Sequence, residues 1–98
     1  MEADDAKFNL ATETVKNAAS NETLKSKLNN DLLLQFYGWF KVATVGECNT
    51  ERPGGLLNKK EKAKWDAWKA ASDTTTDQNE GKNKYIELLG TLLPEDEW

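Results

Sequence analysis

The chain has 98 residues, 38% of them hydrophobic and 31% charged, with a formal net charge of −4, no histidine and a single cysteine. That length supports one domain with a modest core, and no apolar run approaches a membrane span. The missing histidine removes Cys–His and Ser–His nucleophile pairs and the commonest zinc ligand, so binding is a better starting assumption than catalysis.

The acidic start, Met1–Asp5, lacks the basic and apolar regions of a secretory signal and is expected to fray. Cys48 alone cannot close an intrachain disulfide, which favours a reducing, cytoplasmic setting. Phe8, Ala11, Val15 and Ala18 recur at i, i+3, i+7 and i+10, predicting an amphipathic first helix over 4–19 with Asp4 or Asp5 at its dipole end. Ser20–Asn30 is polar and rich in cap-forming residues, a connection with one short helical turn through Leu24 and Leu28. Asn29 or Asn30 caps the next helix, Leu32–Gly46, which Gly46 is placed to end as a C′ residue.

That second helix carries two apolar stripes where a surface helix shows one. Leu32, Phe36, Trp39 and Ala43 form the first, and Phe36 and Trp39 read as core. Leu33, Tyr37, Phe40, Lys41 and Thr44 form the second, a mixture suited to a ligand that is part aromatic, part anionic and part apolar. Gly38 costs roughly 1 kcal/mol against Ala in a helix interior; close approach by another backbone or a ligand would explain it, and so would drift.

Glu47–Leu57 holds Arg52-Pro53-Gly54-Gly55, a turn-forming loop with no strand pattern. Asn58 and Glu61 have the spacing of a capping box, opening a third helix that runs to Ala71 with Ala63, Ala67 and Ala71 on one line and Lys60, Lys64 and Trp68 on another. Trp65 reads as a core or inter-helix anchor. Ser72–Thr76 links to a second capping box, Asp77 to Glu80, and a fourth helix with the stripe Tyr85, Leu88, Leu89, Leu92, ended by Pro94. The fold expected is an all-α four-helix domain, one unit over 1–98 with its core over about 4–93.

Charge is segregated. Residues 41–69 hold seven basic side chains against four acidic ones, a net of +3, and the remainder carries −7. A focal positive patch suits a compact anion, whereas nucleic acid rewards a broad basic surface. A lysine-rich solvated helix face would give the same count.

Three blocks now come into register: Tyr37-Gly-Trp-Phe-Lys-Val-Ala-Thr-Val-Gly46, Asn49-Thr-Glu-Arg-Pro-Gly54, and Lys60-Glu-Lys-Ala-Lys-Trp-Asp-Ala-Trp68. In order and spacing they resemble the acyl-coenzyme A binding protein family over about 8–93. The resemblance implies a four-helix up-down-down-up bundle that binds long-chain fatty acyl-coenzyme A non-covalently, one ligand per domain, without catalysis, cofactor or metal. It implies that Tyr37 and Lys41 contact the ligand's 3′-phosphate, that Lys64 lies on the phosphates, and that Phe40 and Tyr85 flank the adenine. Lys16 and Lys60 match further basic positions, and Leu33, Leu34 and Ala63 match positions lining the site, the leucines near the acyl chain. A monomer is implied, with acyl-coenzyme A-using enzymes as recipients, room for transient membrane-surface contact, and no nucleic acid.

Each lysine–phosphate bond is worth roughly 1.5–3 kcal/mol when well made. Stacking on an aromatic ring adds about 1–3 kcal/mol. Each buried methylene adds about 0.8 kcal/mol, so two carbons are worth roughly tenfold in affinity. Departures from the family pattern are a longer 20–30 connection, a longer link before the fourth helix, Phe40 where tyrosine is common, and Lys59 at an often apolar position. The longer first connection borders the expected acyl groove, making chain-length preference the least transferable property. Two competing readings remain: a bundle that has lost the ligand and recruits a partner through the 20–30 connection, and an enzyme acting on the thioester, which the absence of histidine disfavours.

Overall fold

The computed structural model describes residues 3–56 and 58–98, Glu95 by its backbone alone. The fraying expected over Met1–Asp5 does not extend to Asp4 and Asp5, which cap and open α1; Met1 and Glu2, and the end of the loop at Leu57, lie outside the described residues. Helices run α1 Asp5–Lys16, α2 Glu22–Lys27, α3 Asn30–Thr44, α4 Lys59–Thr74 and α5 Gln78–Leu92, with 3₁₀ turns at Ala18–Ser20 and Glu95–Glu97. No strand occurs among the described residues, and no helix is long and apolar enough to cross a membrane. The four long helices, α1, α3, α4 and α5, are those expected from periodicity.

Boundaries moved for local reasons. Asp4, Asn21, Asn29 and Asp77 each accept a hydrogen bond from a backbone N–H of the helix that follows, a cap worth about 1 kcal/mol. The first helix stops at Lys16 rather than residue 19, because Asn17 breaks the α geometry and a 3₁₀ turn follows. The expected turn through Leu24 is a complete, capped helix, α2, with Leu24 buried in the core.

Asn58 does not cap α4. Its side-chain nitrogen donates to the Gly54 carbonyl at 2.7 Å, closing the loop instead. The second expected box forms only through a relay. Asp77 accepts from the Asn79 and Glu80 amides, while the Thr75 hydroxyl accepts from the Asp77 N–H and donates to the Glu80 carboxylate. Helix α4 runs past the expected Ala71 to Thr74, where the Thr75 N–H donates to the Ala71 carbonyl.

Contacts between helices fix their directions. Tyr37 meets Lys64 and Lys41 meets Trp68, so α3 and α4 run parallel. Phe36 meets Tyr85 while Ala43 meets Gly81, so α3 and α5 run antiparallel. Asp5 pairs with Lys82 and Phe8 meets Tyr85, so α1 and α5 run parallel. The four long helices are therefore an up-down-down-up bundle in the spatial order α4, α3, α5, α1. One core cluster, built around Phe8, Leu24, Phe36, Tyr85, Leu89 and Leu93, joins α1, α2, α3 and α5. A second, Val42, Trp68 and Ala71, joins α3 to α4.

Two glycines set the spacing. A Cβ on Gly38 would lie 2.5 Å from the Ala67 carbonyl oxygen, and one on Gly81 would lie 2.7 Å from the Ala43 nitrogen. Backbone approach is the reason for Gly38. Gly46, at φ +99°, ends α3 as expected, and its carbonyl accepts from the Trp68 indole at 3.0 Å. Trp65 is a loop anchor more than a core residue: half-buried, it donates to the Thr50 carbonyl at 3.0 Å. Arg52 pairs with both Asp66 oxygens at 2.9 and 3.0 Å, and the guanidinium holds that carboxyl below its usual range.

Candidate functional site

Tyr37 sits where two hollows meet. One, of about 430 Å³, is walled by Thr12, Glu13, Val15 and Lys16 of α1 and by Leu33, Phe36, Tyr37 and Phe40 of α3, with Tyr85 of α5 beneath. The other, also about 430 Å³, lies between α3 and α4, among Asn30, Leu33, Leu34, Tyr37, Lys60, Ala63 and Lys64. Leu33 and Tyr37 belong to both. The Leu33, Tyr37 and Phe40 part of the mixed stripe of α3 thus faces two adjoining cavities, because the opposite stripe is committed to the core through Phe36 and Ala43.

The rings of the first hollow form a ladder. Tyr85 lies edge-on to Phe8 at 5.4 Å and tilted against Phe36 at 5.0 Å, while Phe40, 38% exposed, stacks over Phe8 at 6.3 Å. Phe40 therefore presents one face to solvent on a packed aromatic base. Tyr85 is only 4% exposed, and burial pushes its phenol well above the ordinary tyrosine range. Its hydroxyl makes no hydrogen bond among the described residues, yet no side-chain polar atom there is sealed from solvent without a partner. The oxygen is accordingly the part of Tyr85 that opens into the hollow.

Charge is placed by rungs along the α3–α4 seam. The Lys64 ammonium lies 5.5 Å from the Tyr37 ring centroid, and the Lys41 ammonium 4.6 Å from that of Trp68. Lys41 follows Tyr37 by one turn, as Trp68 follows Lys64, so the two cations occupy successive rungs on one side of the molecule. Lys41 lies beyond the walls of both hollows, one rung past Tyr37. Tyr37 keeps its proton more firmly than an ordinary tyrosine, first through burial and then through the negative fields of Glu61 and Cys48. It stays a hydrogen-bond donor throughout the neutral range.

The two hollows differ in charge. The α3–α4 hollow holds Lys60 and Lys64 and no carboxylate. On α1, Glu13 accompanies Lys16. A broader depression of about 520 Å³ at the start of α4, with Leu56, Asn58, Lys59 and Glu61, shares only Lys60 with the site.

Of the ten residues singled out in the sequence, nine line one or both hollows, and Lys41 stands at their edge. Sequence reasoning missed Thr12, Glu13 and Asn30, and took Val15 and Phe36 as core alone. The signal for Thr12 and Glu13 was their place one turn before Lys16 on α1. Among the described residues no cluster of His, Cys, Asp and Glu could hold a metal ion.

A family model described as Acyl CoA binding protein matches residues 5–89. The chain is 41% identical over 80 residues to an acyl-CoA-binding protein of Ricinus communis, covering 82% of this chain and 86% of that one. It is 43% identical over 84 residues to an acyl-CoA-binding protein of Gossypium hirsutum, covering 86% and 83%. The crystal structure of the protein from Moniliophthora perniciosa superposes with a TM-score of 0.79 at 38% identity, covering 94% of this chain and 82% of that one. With the bundle, its helix directions and these matches in agreement, the chain belongs to the acyl-CoA binding protein family.

Proposed function

We propose that the chain binds medium- to long-chain acyl-CoA esters non-covalently, buffers them and carries them through the cytoplasm, acting as a single domain and a monomer. The observation that carries this reading is Tyr37, shared by a cationic hollow and an aromatic one, with Lys64 poised over its ring. In this reading Tyr37 and Lys41 contact the 3′-phosphate, and Lys64 lies on the phosphates. The exposed face of Phe40 stacks on the adenine and the Tyr85 hydroxyl donates to the nucleotide. Lys16 and Lys60 neutralise the remaining phosphate charge, and Leu33, Leu34 and Ala63 receive the first part of the acyl chain.

No step of bond making or breaking belongs to this mechanism. The thioester passes unchanged to enzymes that use acyl-CoA, with transient contact at membrane surfaces where such enzymes reside. Affinity divides between head group and tail: charge-assisted bonds select coenzyme A, and apolar burial rewards chain length.

Calorimetric titration tests it with palmitoyl-CoA, coenzyme A and palmitate. The expected order is palmitoyl-CoA tightest, coenzyme A weaker and palmitate weakest, with no free thiol released on incubation. Absence of saturable palmitoyl-CoA binding overturns the proposal.

A further inference from the structure

Leu34 forms part of the wall of two hollows. On one side lies the cationic cavity with Leu33, Ala63 and Lys64; on the other lies a smaller one of about 250 Å³, with Trp39 on α3 and Ala67, Ala70 and Ala71 on α4. No other residue is common to the two linings. One turn beyond Leu34 the helices close on each other, with the Gly38 backbone against the Ala67 carbonyl, so Leu34 is where the two hollows adjoin. The smaller hollow contains no charged side chain, and its polar groups, Gln35 and Thr74, are exposed residues.

Polarity therefore falls from one hollow to the next: Lys60 and Lys64 first, then Leu33 and Leu34, then Trp39 and the alanines. That gradient fits an amphiphile with an anionic head and an aliphatic tail, and it does not fit a second anion. We infer that the 250 Å³ hollow receives the terminal methylenes of acyl chains too long for the first cavity, with Leu34 as the gate between them. The inference rests on the reading of the Leu33–Leu34 cavity as the acyl site. It makes Ala70 and Ala71 determinants of chain length: larger side chains there would fill the space.

The test compares octanoyl-CoA with stearoyl-CoA on the native protein and on Ala70→Leu, a substitution at an exposed position that should leave the melting temperature unchanged. At about fourfold in affinity per buried methylene, denying burial to two or three of them weakens stearoyl-CoA roughly 15- to 60-fold. Octanoyl-CoA, which ends before the gate, stays within about twofold. On the native protein, the Trp39 indole resonance should shift with stearoyl-CoA and stay in place with octanoyl-CoA. An unchanged stearoyl-to-octanoyl ratio in Ala70→Leu, or a Trp39 resonance indifferent to chain length, overturns the inference and leaves the acyl site standing. Failure of the native protein to bind either ester overturns the acyl site itself.

Discussion

Lys41 and Lys64 differ in what they rest on, and that difference decides how their removal reads. Lys64 is flanked by the Tyr37 ring and by Glu61 at 3.9 Å, both partly wet, so it contributes little to stability. Lys41 lies over a buried indole, where the ring's quadrupole adds about 0.5–2 kcal/mol. Lys64→Ala should weaken palmitoyl-CoA binding about 10- to 100-fold, the worth of one charge-assisted bond, and leave melting unchanged. Lys41→Ala should weaken binding similarly and lower the melting temperature by a few degrees. Calorimetry and thermal circular dichroism separate the two effects. Lys41 and Tyr37 were legible in the sequence as members of one stripe and one block, and Lys64 as a member of a second line and a second block. Their second partners were not, since a ring under an ammonium depends on which helix lies alongside.

Tyr85 gives a prediction in pH. A tyrosine in the unfolded chain ionises near 10, whereas the buried Tyr85 phenol holds its proton well above that value. Above about pH 10 the folded state therefore binds more protons than the unfolded state, and stability falls as pH rises. Below pH 10 the contribution is fully present. Tyr37, shifted in the same direction, adds to the trend. Melting temperature should be flat in pH from neutrality to about 10 and decline above it. Tyr85→Phe should make that decline shallower, as followed by thermal melts across the alkaline range.

At the scale of elements, the seam between α3 and α4 depends on a missing side chain. Gly38→Ala would raise intrinsic helix propensity by roughly 1 kcal/mol. The added methyl would nevertheless meet the Ala67 carbonyl oxygen at 2.5 Å, and a backbone atom cannot turn aside. Overpacking of this kind costs about 1–3 kcal/mol, so the net effect is destabilising. The parting of α3 from α4 should also widen the hollow around Tyr37. Chemical denaturation should show a lower midpoint with an unchanged slope, and palmitoyl-CoA affinity should fall with it. Gly38 stood out in the sequence as a cost without a cause; its cause is the tertiary neighbour. The same limit explains Asn58, a capping residue by sequence whose amide closes a loop instead. It explains α2 as well, whose single buried anchor, Leu24, is too little periodicity to distinguish a helix from a turn.

The whole molecule is thin, 42 × 32 × 16 Å, so α3 has a hollow on each flank and neither is deeply enclosed. In the proposed reading, an acidic chain of net −4 holds an anion because its positive charge is concentrated in 41–69, with Lys16 added from α1. Two kinds of force then act on one ligand, and salt separates them. The attraction between exposed lysines and phosphates is screened as the Debye length shrinks from about 10 Å at 0.1 M to about 3 Å at 1 M. Burial of the tail is not weakened by salt. Raising sodium chloride from about 0.1 to about 1 M should therefore weaken coenzyme A and palmitoyl-CoA by the same factor, leaving the ratio of their affinities constant. If the ratio collapses, head and tail are not held by separable surfaces. If neither affinity falls, the lysines at the Tyr37 seam are not what holds the phosphates. Calorimetric titration at the two salt concentrations reads both quantities.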